Sequence, residues 1–298
     1  MKEKFVSLSE AISRIPSGSR VALGGNIMRR QPNAAVREMI RQSIGDLTVY
    51  TFATGVSVDM LAAAGLLHRY EGVYVGLFWH GLAPNFRRAV EAGKVEVRDF
   101  SESTMVARFQ AACAGVGFFP TKAILGTDMM GQDASIVTEM TCPFTGDIYA
   151  AVRAIDAEFT VMHGYRADKF GNVQWPLLRD SDDVDQIIAR GSKRLIVTVE
   201  EIVDHSEIME QPNLTYIPSQ WVEAVVHVPF GGHPLACDTI HDEDVDHIRD
   251  FAKAGSSPEA AQAYLNEFVR TAGHEEYLRK FGGLEALRKR LGVVGGAA

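Results

Sequence analysis

Three cysteines in 298 residues, Cys113, Cys142 and Cys237, are too few and too scattered for a disulfide framework. They imply buried thiols in a reducing compartment, so a cytoplasmic location is expected. The paired Cys/His spacing of a zinc site is missing as well. His233, His241 and His247 lie in an acidic segment that fits no standard zinc pattern, so no metal is expected. No stretch offers about 18 uninterrupted apolar residues, and "MKEKFVSLSEAISRIPSGSR" has no apolar core of signal-peptide length. No membrane association is expected. A basic excess is also absent: 30 Lys and Arg face 38 Asp and Glu, a net charge of −8. This argues against a nucleic-acid binder. A local basic pocket for phosphates remains compatible with that balance.

What the chain does have is regular. With 46% hydrophobic and 23% charged residues it reads as a soluble globular protein long enough for one large α/β domain or two small ones. "RVALGG", "LTVYTFA", "GVYVGLFW" and "KVEVRDF" read as strands. They alternate with helical patterns in "NAAVREMIRQSI", "VDMLAAAGLL", "PNFRRAVEAG" and a segment from Ser101 to about Gly115. Such alternation predicts a parallel sheet covered by helices on both faces. Residues 117–150 read as loops with short strands. "AEFTVMHG", "KRLIVTVEEIV" and "AVVHVPFGG" resume the strand pattern, and His163 reads as a core histidine near a strand end. From about Asp242 the pattern is helical and charged. The expected organisation is an α/β domain over 1–241 with a helical extension, 242–298, packed on it.

In "VALGGNIMRRQPNAAVREMI", residues 21–40, a glycine pair stands between an apolar run and a helix. Unpaired N–H groups and the helix dipole make such a turn a candidate anion site. The spacing matches neither the G-x-G-x-x-G fingerprint nor the P-loop, so a nicotinamide or ATP site is not expected. The plain alternative is a tight turn with solvated arginines.

"GGNIMRRQPNAAVREMIRQ", "GLAPNFRRAVEAGKVEV", "FFPTKAILGTDM" and "YRADKFGNVQW", in this order, resemble the alpha subunit of class I coenzyme A transferases of the glutaconate and 3-oxoacid type. The resemblance runs from about residue 5 to 230. It implies a three-layer α/β/α fold with an open, mainly parallel sheet of about seven strands. It also implies a homologous beta subunit, in an α2β2 heterotetramer, with the active site between subunits. Acyl-coenzyme A is then substrate, and no other cofactor is expected. The resemblance further implies that the amides of Gly24, Gly25 and Asn26 hold an oxyanion of the thioester, with Arg29 and Arg30 as partners for carboxylates. The glutamate that forms a thioester in transferases would belong to the beta subunit.

Glu102, in "VRDFSESTMVARF", follows a strand and opens a helix. It reads equally as a first-turn glutamate favoured by the dipole behind an N-capping Ser101. For a base, its pKa would have to be raised by apolar cover such as Phe78 and Trp79. The chain also resembles a hydrolase subgroup of the same family that opens rings of steroid catabolites carried as coenzyme A thioesters. That resemblance implies Glu102 as catalytic base and "LFWHGLAPNF", with Phe78, Trp79 and His80, as a ring-binding segment. Hydroxide would add to a ring ketone, the C–C bond would break, and the leaving thioester enolate would be stabilised by N–H donors. Thr127 and Asp128 in "LGTDMMG" are expected to line the pocket or form a plain turn. Arg87 and Arg88 read as half packing and half solvated. "HDEDVDHIRD" reads as the solvated start of the helical tail. Three readings stand: the alpha chain of a ring-opening hydrolase, that of a transferase for a dicarboxylic or 3-oxo acid, and a non-catalytic partner completing the other subunit's pocket.

Overall fold

The computed structural model describes residues 2–177 and 183–293. Met1, residues 178–182 and the last five of the expected helical extension lie outside the described residues.

Seven parallel strands form the central sheet. At its middle lies β1 (Arg20–Leu23). On one side follow β2 (Leu47–Tyr50), β4 (Leu67–Gly72) and β6 (Glu96–Asp99). On the other follow β10 (Phe159–Ala167), β12 (Leu195–Ile202) and β14 (Val222–His227). Two short antiparallel strands, β11 (Val173–Gln174) and β13 (Thr215–Ile217), extend β10 at its far end. Chain order therefore runs outward from the centre in both directions, and the crevice between β1 and β10 is the switch point where ligands of open α/β sheets bind.

Alternation within each strand divides the interior in two. Val21, Leu23, Val49, Val161, Ile196 and Val226 face one core, while Ala22, Tyr50, Met162, Val197 and Val225 face the other. Over the first face pack α1 (Leu8–Ser13), α2 (Asn33–Arg41), α3 (Val56–Ala63) and α4 (Pro84–Glu91), together with α8 (Val245–Ala254) and α9 (Pro258–Tyr264). Beyond them, α10 (His274–Arg279) and α11 (Leu284–Leu291) close a smaller cluster around Phe230 and Tyr277. The second face carries α5 (Glu102–Ala114) and α6 (Asp183–Arg190). Beside them lies a three-stranded antiparallel sheet of β7 (Phe118–Thr121), β8 (Val137–Thr141) and β9 (Ile148–Arg153). The short helix α7 (His205–Glu210) follows β12. The three layers expected from the sequence are thus present.

One strand differs from expectation. "GVYVGLFW" is not continuous: only Tyr74–Val75 (β5) pairs, with Ala53–Thr54 (β3), and Phe78–His80 forms a 3-10 turn. The sheet strand is β4, "LHRYEG", whose charged Arg69 and Glu71 mask its alternation. They are tolerated because they pair, Arg69 Nη2 standing 2.7 Å from Glu71 Oε1.

Candidate functional site

The turn after β1 sits at the switch point. Gly24 N–H donates to Val161 O at 2.9 Å, and a Cβ on Gly24 would stand 2.6 Å from the Met162 Cβ. Gly25 has φ +85°, where a side chain is strained, and its Cβ would meet the Gln31 amide nitrogen at 2.6 Å. Asn26 and Arg29 exchange backbone hydrogen bonds of 3.0 and 2.8 Å, closing the turn. Sequence reading missed the group that organises it, Asp185 at the start of α6. Its Oδ1 accepts from Gly25 N–H at 2.9 Å and its Oδ2 from Arg30 Nη1 at 2.6 Å.

This arrangement corrects two expectations. Arg30 is no solvated carboxylate fork: it is 1% exposed, paired with Asp185, with its guanidinium 5.6 Å from the ring centroids of Tyr165 and Trp175. The backbone N–H groups of Gly24, Gly25 and Asn26 are all bonded within the chain, so none is a ready oxyanion donor in this conformation. Arg29 retains surface reach. Its Nε donates to Asp238 Oδ1 at 2.8 Å, but its side chain is 37% exposed.

The aromatic turn lies on the same carboxyl-terminal side of the sheet. Phe78 and Trp79 are 50% and 59% exposed, and their rings meet edge to face at 4.7 Å. Trp79 Nε1 donates to Glu243 Oε1 at 3.1 Å, and His80 Nε2 lies 3.3 Å from the same oxygen. Glu102 opens α5 at the carboxyl end of β6, behind Ser101, whose Oγ accepts from the Thr104 amide. Apolar cover from Phe78 and Trp79 is not found: Glu102 is exposed, and Trp79 is turned to the C-terminal segment by Glu243. Glu102 makes no hydrogen bond or ion pair among the described residues, which leaves its carboxylate uncommitted. Thr127 and Asp128 are exposed at a turn near the small antiparallel sheet, with Thr127 Oγ1 donating to Ile124 O. The structure does not bring them to the glycine turn.

Beneath the glycine turn lies a buried polar network that sequence reading also missed. His163 Nε2 is 2.8 Å from Glu200 Oε1, His241 Nε2 is 3.4 Å from it, and Glu200 Oε2 accepts from Phe230 N–H at 2.7 Å. Burial raises the Glu200 pKa, but the bonds from the two histidines outweigh it and hold the carboxyl well below its ordinary range. Ligand-type atoms of His163, Glu200 and Cys237 lie within 4.8 Å of one another. His163 and Glu200 are already engaged with each other and with Thr198 and Phe230, which identifies a hydrogen-bonded core. A glutamate ending the apolar run "LIVTVE" was the available signal. The segment "HDEDVDHIRD" is solvated on one face only: Asp242, Asp246, Arg249 and Asp250 are exposed, whereas His241, Asp244 and His247 are buried, with Asp244 Oδ2 3.0 Å from His233 Nε2.

Comparison with known proteins places this geometry. The family model described as Coenzyme A transferase matches residues 5–228. One of the subunits of glutaconate CoA-transferase from Acidaminococcus fermentans is 32% identical, over 94% of this chain and 92% of its own length. The crystal structure of that organism's glutaconate coenzyme A-transferase superposes with a TM-score of 0.92, at 30% identity, covering 98% of this chain and 96% of that one. The cholesterol ring-cleaving hydrolase IpdA subunit of Rhodococcus jostii is 26% identical, over 90% of this chain and 92% of its own length. An uncharacterized protein of Archaeoglobus fulgidus is 35% identical over 97% of this chain, which spans 64% of that relative's length.

Proposed function

We propose, from the premise that this chain belongs to the coenzyme A transferase family, that it is the alpha subunit of a two-subunit hydrolase opening a ring in a cyclic β-keto coenzyme A thioester. The observation that carries this reading is the uncommitted carboxylate of Glu102 at the carboxyl end of β6. Glu102 takes a proton from water, the hydroxide adds to the ring ketone, and the adjacent C–C bond breaks to give a carboxylate and a thioester enolate. The enolate carbon then takes up the proton. General-base assistance of this kind contributes roughly 100- to 10,000-fold.

Size supports the reading. Three strand intervals separate β6 from β1, about 14 Å at 4.7–4.9 Å each. A substrate touching both Glu102 and Arg29 is therefore extended, as a ring system with a free carboxylate is. The beta subunit supplies the cover that Phe78, Trp79 and Glu102 lack in this chain.

A transferase for a dicarboxylic or 3-oxo acid is the second reading. It is favoured by the higher identity to the glutaconate CoA-transferase chain, 32% against 26% for the ring-cleaving hydrolase chain. Its thioester-forming glutamate would lie in the partner. Glu102→Gln separates the two. It keeps size and removes proton acceptance, so ring opening should fall by roughly two orders of magnitude with binding largely kept. Wild-type turnover by this variant on a ring-bearing β-keto thioester rejects the hydrolase reading. Coenzyme A exchange between carboxylic acids, retained in Glu102→Gln, would establish the transferase.

A further inference from the structure

A cavity of ≈ 220 Å³ opens between one face of the sheet, α5 and the small antiparallel sheet. Four arginines line it: Arg20 from the first residue of β1, Arg69 from β4, Arg108 from α5 and Arg153 from β9. Two acids, Glu71 and Asp156, share the wall, and Glu158 and Glu96 stand against Arg20 and Arg69 from beside it.

The acids do not use up the donors. Arg20 is held by Asp156 and Glu158 at 3.2 and 3.5 Å. Glu71 is shared between Arg69 and Arg108. The Arg108 contact, 2.8 Å to Oε2, is an ion pair off the line of a hydrogen bond. Arg69 Nε is buried without a hydrogen-bond partner. The Arg153 guanidinium makes no hydrogen bond or ion pair among the described residues. Tyr50, only 6% exposed, lines the same space, and its hydroxyl has no hydrogen-bond partner among the described residues. Burial, reinforced by Glu71, pushes that hydroxyl up to about 12, so it keeps its proton and acts as a donor. A buried donor without an acceptor, as Arg69 Nε is, costs about 1–3 kcal/mol, whereas the Arg153 side chain is exposed and its donors are met by water until an acceptor arrives.

We propose that this cavity binds a phosphate-type dianion, through the Tyr50 hydroxyl and the guanidinium groups of Arg69 and Arg153. A phosphate monoester, which carries about −1.5 to −2 at neutral pH, offers oxygens to each of these donors. The volume is that of about seven waters of liquid, enough for phosphate and a small substituent. Arginine forks suit phosphate oxygens in geometry. None of Gly24, Gly25 and Asn26 lines the cavity.

The test is titration calorimetry of the full chain, with any subunit that co-purifies, at constant ionic strength. The probes are inorganic phosphate and glycerol 3-phosphate. Saturable binding is expected, weakened about tenfold in Tyr50→Phe and again in Arg153→Gln. Neither change removes an existing hydrogen bond or ion pair, so both variants should keep the wild-type melting temperature. Tighter glycerol 3-phosphate marks a monoester site, and tighter inorganic phosphate marks a free-phosphate site. No saturable heat at millimolar phosphate, or equal affinity in wild type and both variants, overturns the proposal.

Discussion

At the scale of single residues, the glycine turn depends on one carboxylate contributed from far along the chain. Asp185 accepts from both Gly25 N–H and Arg30, at 4% and 1% side-chain exposure for the ion pair. Asp185→Asn keeps an acceptor for the amide but takes one carboxylate away from the buried Arg30 guanidinium. Breaking a buried ion pair is destabilising, with about 3–5 kcal/mol as the upper bound. Thermal unfolding of the variant should start well below that of wild type, and an unchanged melting temperature would show that the pair does not hold the turn. Asp185 could not be read from the sequence because its partner is 160 residues away. Ser101 could, because its bonding partner Thr104 is three residues on. The same contrast explains Arg30. Next to Arg29 in a loop it looks solvated, and only the fold shows α6 arriving above it.

At the scale of elements, legibility followed local signals. The expected segment for α5 was readable from the cap at Ser101 and from Gly115, which ends the helix at φ +70°. β4 was missed because its polar residues satisfy one another instead of facing water. The C-terminal helices were legible as helices, but not their buried polar lining. Burial pushes His233 down to about 4, against the opposing pull of Asp244, and pushes His247 and His274 down to about 3. Around His233 and His247 stand Arg37, Asp244, Tyr264 and Tyr277, and Arg290 pairs with Asp244. All three histidines titrate lower when folded than the ~6.5 of an unfolded chain. The unfolded state therefore takes up protons first. Stability is full above about pH 6.5 and falls as pH drops toward 4 for His233 and 3 for the others, by about 1.4 kcal/mol per pH unit for each histidine. Asp244, held down to about 2 by the bond from His233 despite burial, adds a further loss only below about pH 4. Melting temperatures measured from about pH 7 to 5 should decline steadily, and a flat profile would contradict this account.

At the scale of the whole molecule, Phe78, Trp79 and Leu82, the last 60% exposed, crowd one short turn at the carboxyl-terminal side. A contiguous apolar patch of this kind marks a contact surface. Produced alone, the chain should be poorly soluble or inactive, and co-production with the proposed beta subunit should restore both. Full activity of the purified single chain would refute the two-subunit reading. The order of the sheet has a consequence in time. Residues 20–99 complete one flank from neighbours in sequence, but the other edge of β1 must wait for β10, where Leu23 meets Val161. About 140 residues lie between them, and a ribosome adding 5–20 residues per second needs roughly 7 to 28 s to make them. For that interval the future centre of the molecule is a bare strand edge on a nascent chain, the point at which a chaperone has most to protect.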